Sequence, residues 1–304
     1  MIMSQIIGRN DRKQPLIEPS LLAKLATMEL VSRKIFRGRM KGERRSKRKG
    51  QSVEFADFRN YAPGDDLRFI DWNMYARLDK LFLKLFLEEE DLHFYTAIDV
   101  SRSMDFGNPT KFLYARQLAA ALGYIGLCRA DRVKIEPLDG KPTSNAPVLR
   151  GRKSLWQMID YLENMPLEGD CSLSEAIQGF CIRNQGKGVL LVITDLMDKS
   201  GYQDALKYLI ARNLDIYLIH VLSREEISPE LTGDLKLVDC EDQDIAEISV
   251  SPRLLERYRQ TLANFVNQAR EFCSQRGIVY MMTSTDRSVD QLVSRYLRQR
   301  GLVR

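Results

Sequence analysis

Phe94-Tyr95-Thr96-Ala97-Ile98-Asp99-Val100-Ser101-Arg102-Ser103 decides the fold. Seven residues rich in β-branched and aromatic side chains form a short apolar strand, and a run of small polar residues then takes the chain to the surface. A strand apolar on both faces belongs in the middle of a sheet covered on both sides. Asp99, Ser101 and Ser103 therefore emerge at its carboxyl end, where open α/β folds bind ligands.

The same pattern repeats downstream. Strands are expected at Val133–Pro137, Gly188–Thr194, Leu214–Val221 and Ile278–Thr283. Between and after them, helical spacing predicts helices near Thr110–Arg129, Arg152–Glu163, Leu173–Arg183, Gln203–Arg212, Pro252–Arg276 and Ser288–Arg300. Alternating strands and helices predict a mostly parallel sheet with helices on both faces. Leu235–Cys240 and Ile245–Val250 read as a hairpin, and Ser251-Pro252 as the start of the following long helix.

Upstream, the chain changes character. Leu21, Leu22, Leu25, Met28, Leu30 and Ile35 suggest one amphipathic helix over residues 18–36. Ten basic residues against a single acid then fill Arg33–Lys49. Without this block the chain keeps 36 of its 46 basic and 40 of its 41 acidic residues, so the net charge of +5 is entirely local. Such a block suits nucleic acid or an anionic surface, but it holds one aromatic, Phe36, and no reading helix. A solvated arm or a contact to an acidic protein is the favoured reading.

Residues 51–91 interleave aromatics with acids around the turn Pro63-Gly64-Asp65-Asp66, and Leu81–Leu87 reads as a strand. Phe55, Phe58, Tyr61 and Trp72 are expected to be core. Asp65, Asp66, Arg68 and Asp71 form either a charge network that locks this segment in place or a partner-facing patch. The domain boundary is expected near residue 91, separating an N-terminal segment, 1–91, from an α/β domain, 92–304.

Several function classes recede. The longest apolar run, Leu118–Cys128, is too short to cross a bilayer, and the N-terminus lacks an apolar signal core, so the expectation is a cytoplasmic protein. Five scattered cysteines without a C-x-x-C pair argue against a disulfide framework or a zinc site. No phosphate-binding Gly-x-x-x-x-Gly-Lys-Ser/Thr loop is present, and neither His93 nor His220 has the neighbours of a catalytic triad.

Asp195 closes the apolar run Gly188–Thr194, and Gly169-Asp170-Cys171-Ser172-Leu173 leads into a helix. Together with Asp99, Ser101 and Ser103, these pieces resemble the metal-ion-dependent adhesion site of von Willebrand factor A domains. That resemblance implies a Rossmann-type, von Willebrand factor A-like sheet with an N-terminal helical and extended subdomain. It also implies Mg²⁺ held by Asp99, Ser101, Ser103, Asp195 and Ser172. Where the family pattern reads Gly-Gly-Thr-x-Leu, Cys171 replaces the threonine, and a thiol is a poor Mg²⁺ ligand. Two readings stay open: Ser172 or a water completes the metal site, or Asp99, Ser101 and Ser103 simply bond loop amides.

The stretch Glu54-Phe-Ala-Asp-Phe-Arg59-Asn-Tyr61-Ala-Pro63-Gly64-Asp65-Asp66-Leu-Arg68-Phe-Ile-Asp71-Trp72 resembles the signature of the domain-of-unknown-function 58 family. The resemblance covers nearly the whole chain. It implies a role beside a MoxR-type AAA+ ATPase in assembling or maturing other protein complexes, with Arg59, Tyr61, Pro63, Gly64, Asp65, Asp66, Arg68, Asp71 and Trp72 as signature or partner-binding residues. The leading expectation is a non-enzymatic module that binds a client protein. The alternatives are a metal-assisted hydrolase, with Asp99 and Asp195 holding the ion and Asp65 or Asp71 as base, and nucleic-acid binding through Arg33–Lys49.

Overall fold

The computed structural model describes residues 16–32, 54–87, 93–141, 143, 145–167, 172–212, 214–238 and 245–304. The basic block Arg33–Lys49 and residues 169–171, with Cys171, lie outside them. The chain divides into two compact units, one formed by residues 1–34 with 92–304 and the other by 35–91.

In chain order the elements begin with α1 (Pro19–Leu25). The smaller unit holds β1 (Glu54–Asn60), a 3₁₀ turn at Leu67–Phe69, α2 (Trp72–Leu78) and β2 (Phe82–Leu87). The larger unit continues with β3 (His93–Asp99), α3 (Lys111–Cys128), β4 (Arg132–Leu138), β5 (Val148–Leu149), α4 (Leu155–Glu163), α5 (Leu173–Arg183) and β6 (Gly188–Thr194). It ends with α6 (Gln203–Ile210), β7 (Leu214–Leu222), α7 (Arg224–Ile227), β8 (Gly233–Val238), β9 (Ile245–Val250), α8 (Pro252–Gln275), β10 (Val279–Ser284) and α9 (Val289–Gln291). Residues Leu292–Leu297 continue α9 as a π-helical turn.

The central sheet runs β10-β7-β6-β3-β4-β5. All its pairs are parallel except the short β5 edge. This is the mixed α/β, Rossmann-like architecture that the strand–helix alternation predicts. Side chains alternate across the sheet, so Phe94 and Ile98 join one core cluster and Tyr95 and Ala97 the other. The first cluster is built around α3, fourteen of whose eighteen residues are buried. A helix apolar all round belongs inside a protein, and α3 occupies that place. The second cluster joins the sheet to α5, α6 and α8.

The chain leaves β3 for β4 on one side, whereas β6 lies on the other side. The strand order therefore reverses between β3 and β6, which makes the carboxyl ends of these two strands the fold's crevice.

One expectation about the N-terminal region needs correction. The helix expected over 18–36 ends at Leu25. Beyond it the backbone turns extended, because Glu29 and Val31 bond to Arg304 and Leu302 and Leu30 bridges to Val303. Leu25 and Leu30 are both buried in the α3 core, and residues 1–34 group with 92–304.

In the smaller unit β1 pairs antiparallel with β2. Here the expected aromatic core fails for Trp72, which is 61% exposed, and Tyr61 and Phe58 are only half-buried. Trp72 opens the short α2, whose described residues are mostly exposed. The side chain of Phe55 lies outside the described set.

Candidate functional site at the carboxyl edge of the sheet

Asp99 is the last residue of β3 and is 9% exposed. One carboxylate oxygen accepts the Ser101 amide at 3.0 Å, and the other accepts the Thr194 hydroxyl from the end of β6 at 2.6 Å. The Thr194 hydroxyl in turn accepts the Leu196 amide at 3.0 Å. Burial pushes the Asp99 carboxyl above its usual value, and the neighbouring Asp195 adds to the effect. The hydrogen bonds from Thr194 and Ser101 work the other way.

Val100 is buried, and a 3₁₀ turn at Arg102–Asp105 then lifts the chain to the surface, anchored by fully buried Met104. The half-buried hydroxyls of Ser101 and Ser103 lie 3.0 Å apart and bond each other. Gly107 follows with φ +94°, and a Cβ there would lie 2.5 Å from that of Ser223. The loop thus needs glycine both for its conformation and for its close approach to the end of β7.

Asp195 is 1% exposed, just beyond β6. Its Oδ2 accepts from the Lys111 ammonium at 2.7 Å and its Oδ1 accepts the Met197 amide at 3.1 Å. Lys111, also 1% exposed, donates to Glu226 Oε1 at 2.5 Å as well. The other Glu226 oxygen accepts the Ser223 amide at 2.7 Å, while the Ser223 hydroxyl accepts the Glu226 amide, closing a capping box on α7. Burial works against the lysine's charge, yet the carboxylates of Asp195 and Glu226 outweigh it and hold Lys111 above its ordinary value. One ammonium thus ties together the start of α3 and the ends of β6 and β7.

Ser172 opens α5. Its hydroxyl accepts the Glu175 amide at 3.2 Å as the N-cap of α5. The adjacent Leu173 amide bonds Asp198 Oδ2 at 2.5 Å. The structure therefore brings Asp99, Ser101, Ser103 and Asp195 to one strand-end cluster and gives Ser172 a capping role. Lys111, Glu226, Thr194 and Asp198 are the participants that sequence reasoning missed. Thr194 was within reach, as the residue before Asp195 at the end of an apolar strand. Nothing local marks Lys111 or Glu226.

The oxygen donors expected to hold Mg²⁺ all have protein partners. Both oxygens of Asp99 and both of Asp195 have protein donors, the serine hydroxyls bond each other, and Ser172 caps a helix. Among the described residues no group of three or more His, Cys, Asp or Glu side chains is placed to hold a metal. With an ammonium already on Asp195 and the two serine hydroxyls turned to each other, this donor set does not fit a divalent ion.

In the smaller unit the signature residues bond mainly one another. Asp65 pairs with Arg59 at 2.7 Å and accepts the Ala62 amide, closing the Ala62-Pro63-Gly64-Asp65 turn in which Gly64 takes φ +103°. Asp66 clasps Arg68 at 2.6 Å. Asp71 caps α2 by accepting the Asn73 and Met74 amides and pairs with Lys84 at 3.1 Å. The Met74 amide and the Lys84 contact hold Asp71 below the ordinary carboxylate range, which makes it a poor base. His93 bonds Tyr95 and His220 bonds Tyr280, both as parts of the packing.

Among the described residues no helix is long and apolar enough to cross a membrane. Residues 57–269 match the family described as "Protein of unknown function DUF58". The chain is 26% identical over 253 residues to the uncharacterized proteins Rv1480 of Mycobacterium tuberculosis and Mb1516 of Mycobacterium bovis, covering 81% of this chain and 79% of theirs. Solved structures similar to it include the conserved hypothetical protein BatB from Bacteroides thetaiotaomicron, at 16% identity and TM-score 0.42, covering 68% of this chain and 98% of that one. An aerotolerance-related membrane protein from Bacteroides fragilis is similar at 14% identity and TM-score 0.42, covering 68% and 99%.

Proposed function

Because the chain belongs to the DUF58 family, we propose that it is a cytoplasmic, non-enzymatic interaction module of the von Willebrand factor A-like type. Its sheet-edge face docks a client protein or a MoxR-type AAA+ ATPase during the assembly or maturation of other complexes. The observation that carries this reading is the surface at the β3 and β6 strand ends. There the half-exposed Ser101 and Ser103 hydroxyls sit in a chain segment with Phe106, 40% exposed, while Met197, 38% exposed, follows the neighbouring strand. Exposed apolar side chains beside hydrogen-bonding groups suit protein recognition. The acids beneath them are tied to amides, a hydroxyl and an ammonium, an arrangement that supports structure better than a base or nucleophile.

The test uses the purified full chain and a purified MoxR-type ATPase from the same organism, with binding followed by biolayer interferometry. Phe106→Ala and Met197→Ala are expected to weaken binding by about tenfold each, the effect of losing about 1.4 kcal/mol. The unfolding temperature should hardly move. Absence of binding by the wild type, or binding indifferent to both substitutions, refutes the proposal.

A further inference from the structure

A lysine at the first position of a helix is out of place. The helix N-terminus carries partial positive charge, so a cation there is repelled by the backbone dipoles. Lys111 is the first residue of α3, directly after the Thr110 cap, and its long side chain is buried as well. Burial costs a lysine both hydration and rotamer freedom. What compensates is specific: Asp195 at 2.7 Å and Glu226 at 2.5 Å. A metal adhesion site places a divalent cation among the acids and hydroxyls of the same strand ends. Here a covalently attached monovalent cation holds one of those acids, Asp195, together with Glu226.

We propose that the Lys111 ammonium is the resident cation of the sheet-edge cluster, and that it closes the cluster to divalent metal ions. Three arrangements agree with this. Asp195 would have to release the ammonium before serving a metal. Ser101 and Ser103 bond each other rather than standing apart around an ion. Asp99 accepts from the Thr194 hydroxyl and the Ser101 amide, so neither of its oxygens is left without a donor. A divalent ion at Asp99 would also stand near the ammonium held by the neighbouring acid, and like charges at such range repel strongly in a buried site. The ammonium further joins α7 to the cluster through Glu226, so the face is braced without any exchangeable ligand.

The inference concerns the face on which the proposed docking occurs, but its test reads the free chain and needs no partner. Failure of one therefore leaves the other standing. Full-length wild type and Lys111→Ala are titrated with Mn²⁺, followed by electron paramagnetic resonance and calorimetry, and their unfolding temperatures are compared in chelator and in millimolar Mg²⁺. The wild type is expected to show no stoichiometric Mn²⁺ binding and the same unfolding temperature in both buffers. Lys111→Ala, whose acids have lost their cation, is expected to unfold at a lower temperature, to bind Mn²⁺ one to one, and to regain part of the loss in Mg²⁺. Adding Asp195→Ala should abolish that gain. If the alanine variant does not fold, Lys111→Gln, which keeps bulk and a donor, takes its place. Wild-type binding of Mn²⁺ that disappears in Asp99→Ala overturns the inference. So does a folded Lys111 variant that remains blind to both metals, because the ammonium would then not be what excludes them.

Discussion

Removing Asp195 alone leaves the Lys111 ammonium, 1% exposed, with Glu226 as its carboxylate partner of the two, and strips the Met197 amide of its acceptor. Breaking a buried ion pair by deleting one partner costs about 3–5 kcal/mol. Glu226 survives and is partly hydrated, at 16% side-chain exposure, so Asp195→Ala belongs at the lower end, about 3 kcal/mol. Lys111→Met does the converse, leaving Asp195 and Glu226 without their shared cation, and belongs at the upper end. The double variant Lys111→Met/Asp195→Ala removes both charges, and losing a whole buried pair costs far less than losing one partner of it. The expected double-mutant cycle is therefore strongly non-additive, with the double variant more stable than the sum of the singles predicts by at least about 2–3 kcal/mol. In thermal unfolding followed by circular dichroism, at about 2–4 °C per kcal/mol for a domain of this size, Asp195→Ala should fall by roughly 6–12 °C and Lys111→Met by roughly 10–20 °C. Salt should alter this little, since buried pairs are poorly screened. Single variants within about 0.5 kcal/mol of wild type, or a cycle additive to within that margin, would refute the reasoning.

Two further predictions follow from other groups. Burial lowers the His220 pKa from 6.5 to about 4, so between those values the unfolded chain binds the extra proton and the folded one does not. Stability is complete above pH 6.5 and falls as pH drops through the window to about 4, by about 3 kcal/mol in all; His220→Gln should flatten that part of the urea-unfolding profile, and an unchanged slope contradicts it. At Gly107, alanine must accept φ +94° and a 2.5 Å approach to Ser223, so Gly107→Ala is expected to destabilise by about 2 kcal/mol or more; equal midpoints in urea would show that the loop relaxes freely.

Much of the fold was legible because the signals are local. Each central strand is a short apolar run, and the structure starts and ends it within one or two residues of where the alternation of patterns puts it: β6 runs Gly188–Thr194 as read, and β4 runs Arg132–Leu138 against Val133–Pro137. The Ser251 cap and Pro252 likewise announced α8. The misses arose where distant partners override local pattern. Leu30 has helical spacing with Leu22 and Leu25, but its backbone pairs with Val303 instead. Trp72 reads as core by composition and is exposed, because burial depends on what packs over a ring and composition does not encode that.

By itself the sequence determined the parallel sheet, the strand ends at which Asp99 and Asp195 emerge, and the serines that follow. These depend on periodicity and turn chemistry within a dozen residues. Only the tertiary structure decided what those acids do. The Lys111 contacts reach across 84 residues to Asp195 and 115 to Glu226, and no local spacing encodes such pairings. They arise because the sheet places β6 and β7 on the same side of β3 and the start of α3 above their ends. A segment that reads as a metal site in sequence becomes, once the strands are laid side by side, a cluster whose cation is one of its own side chains.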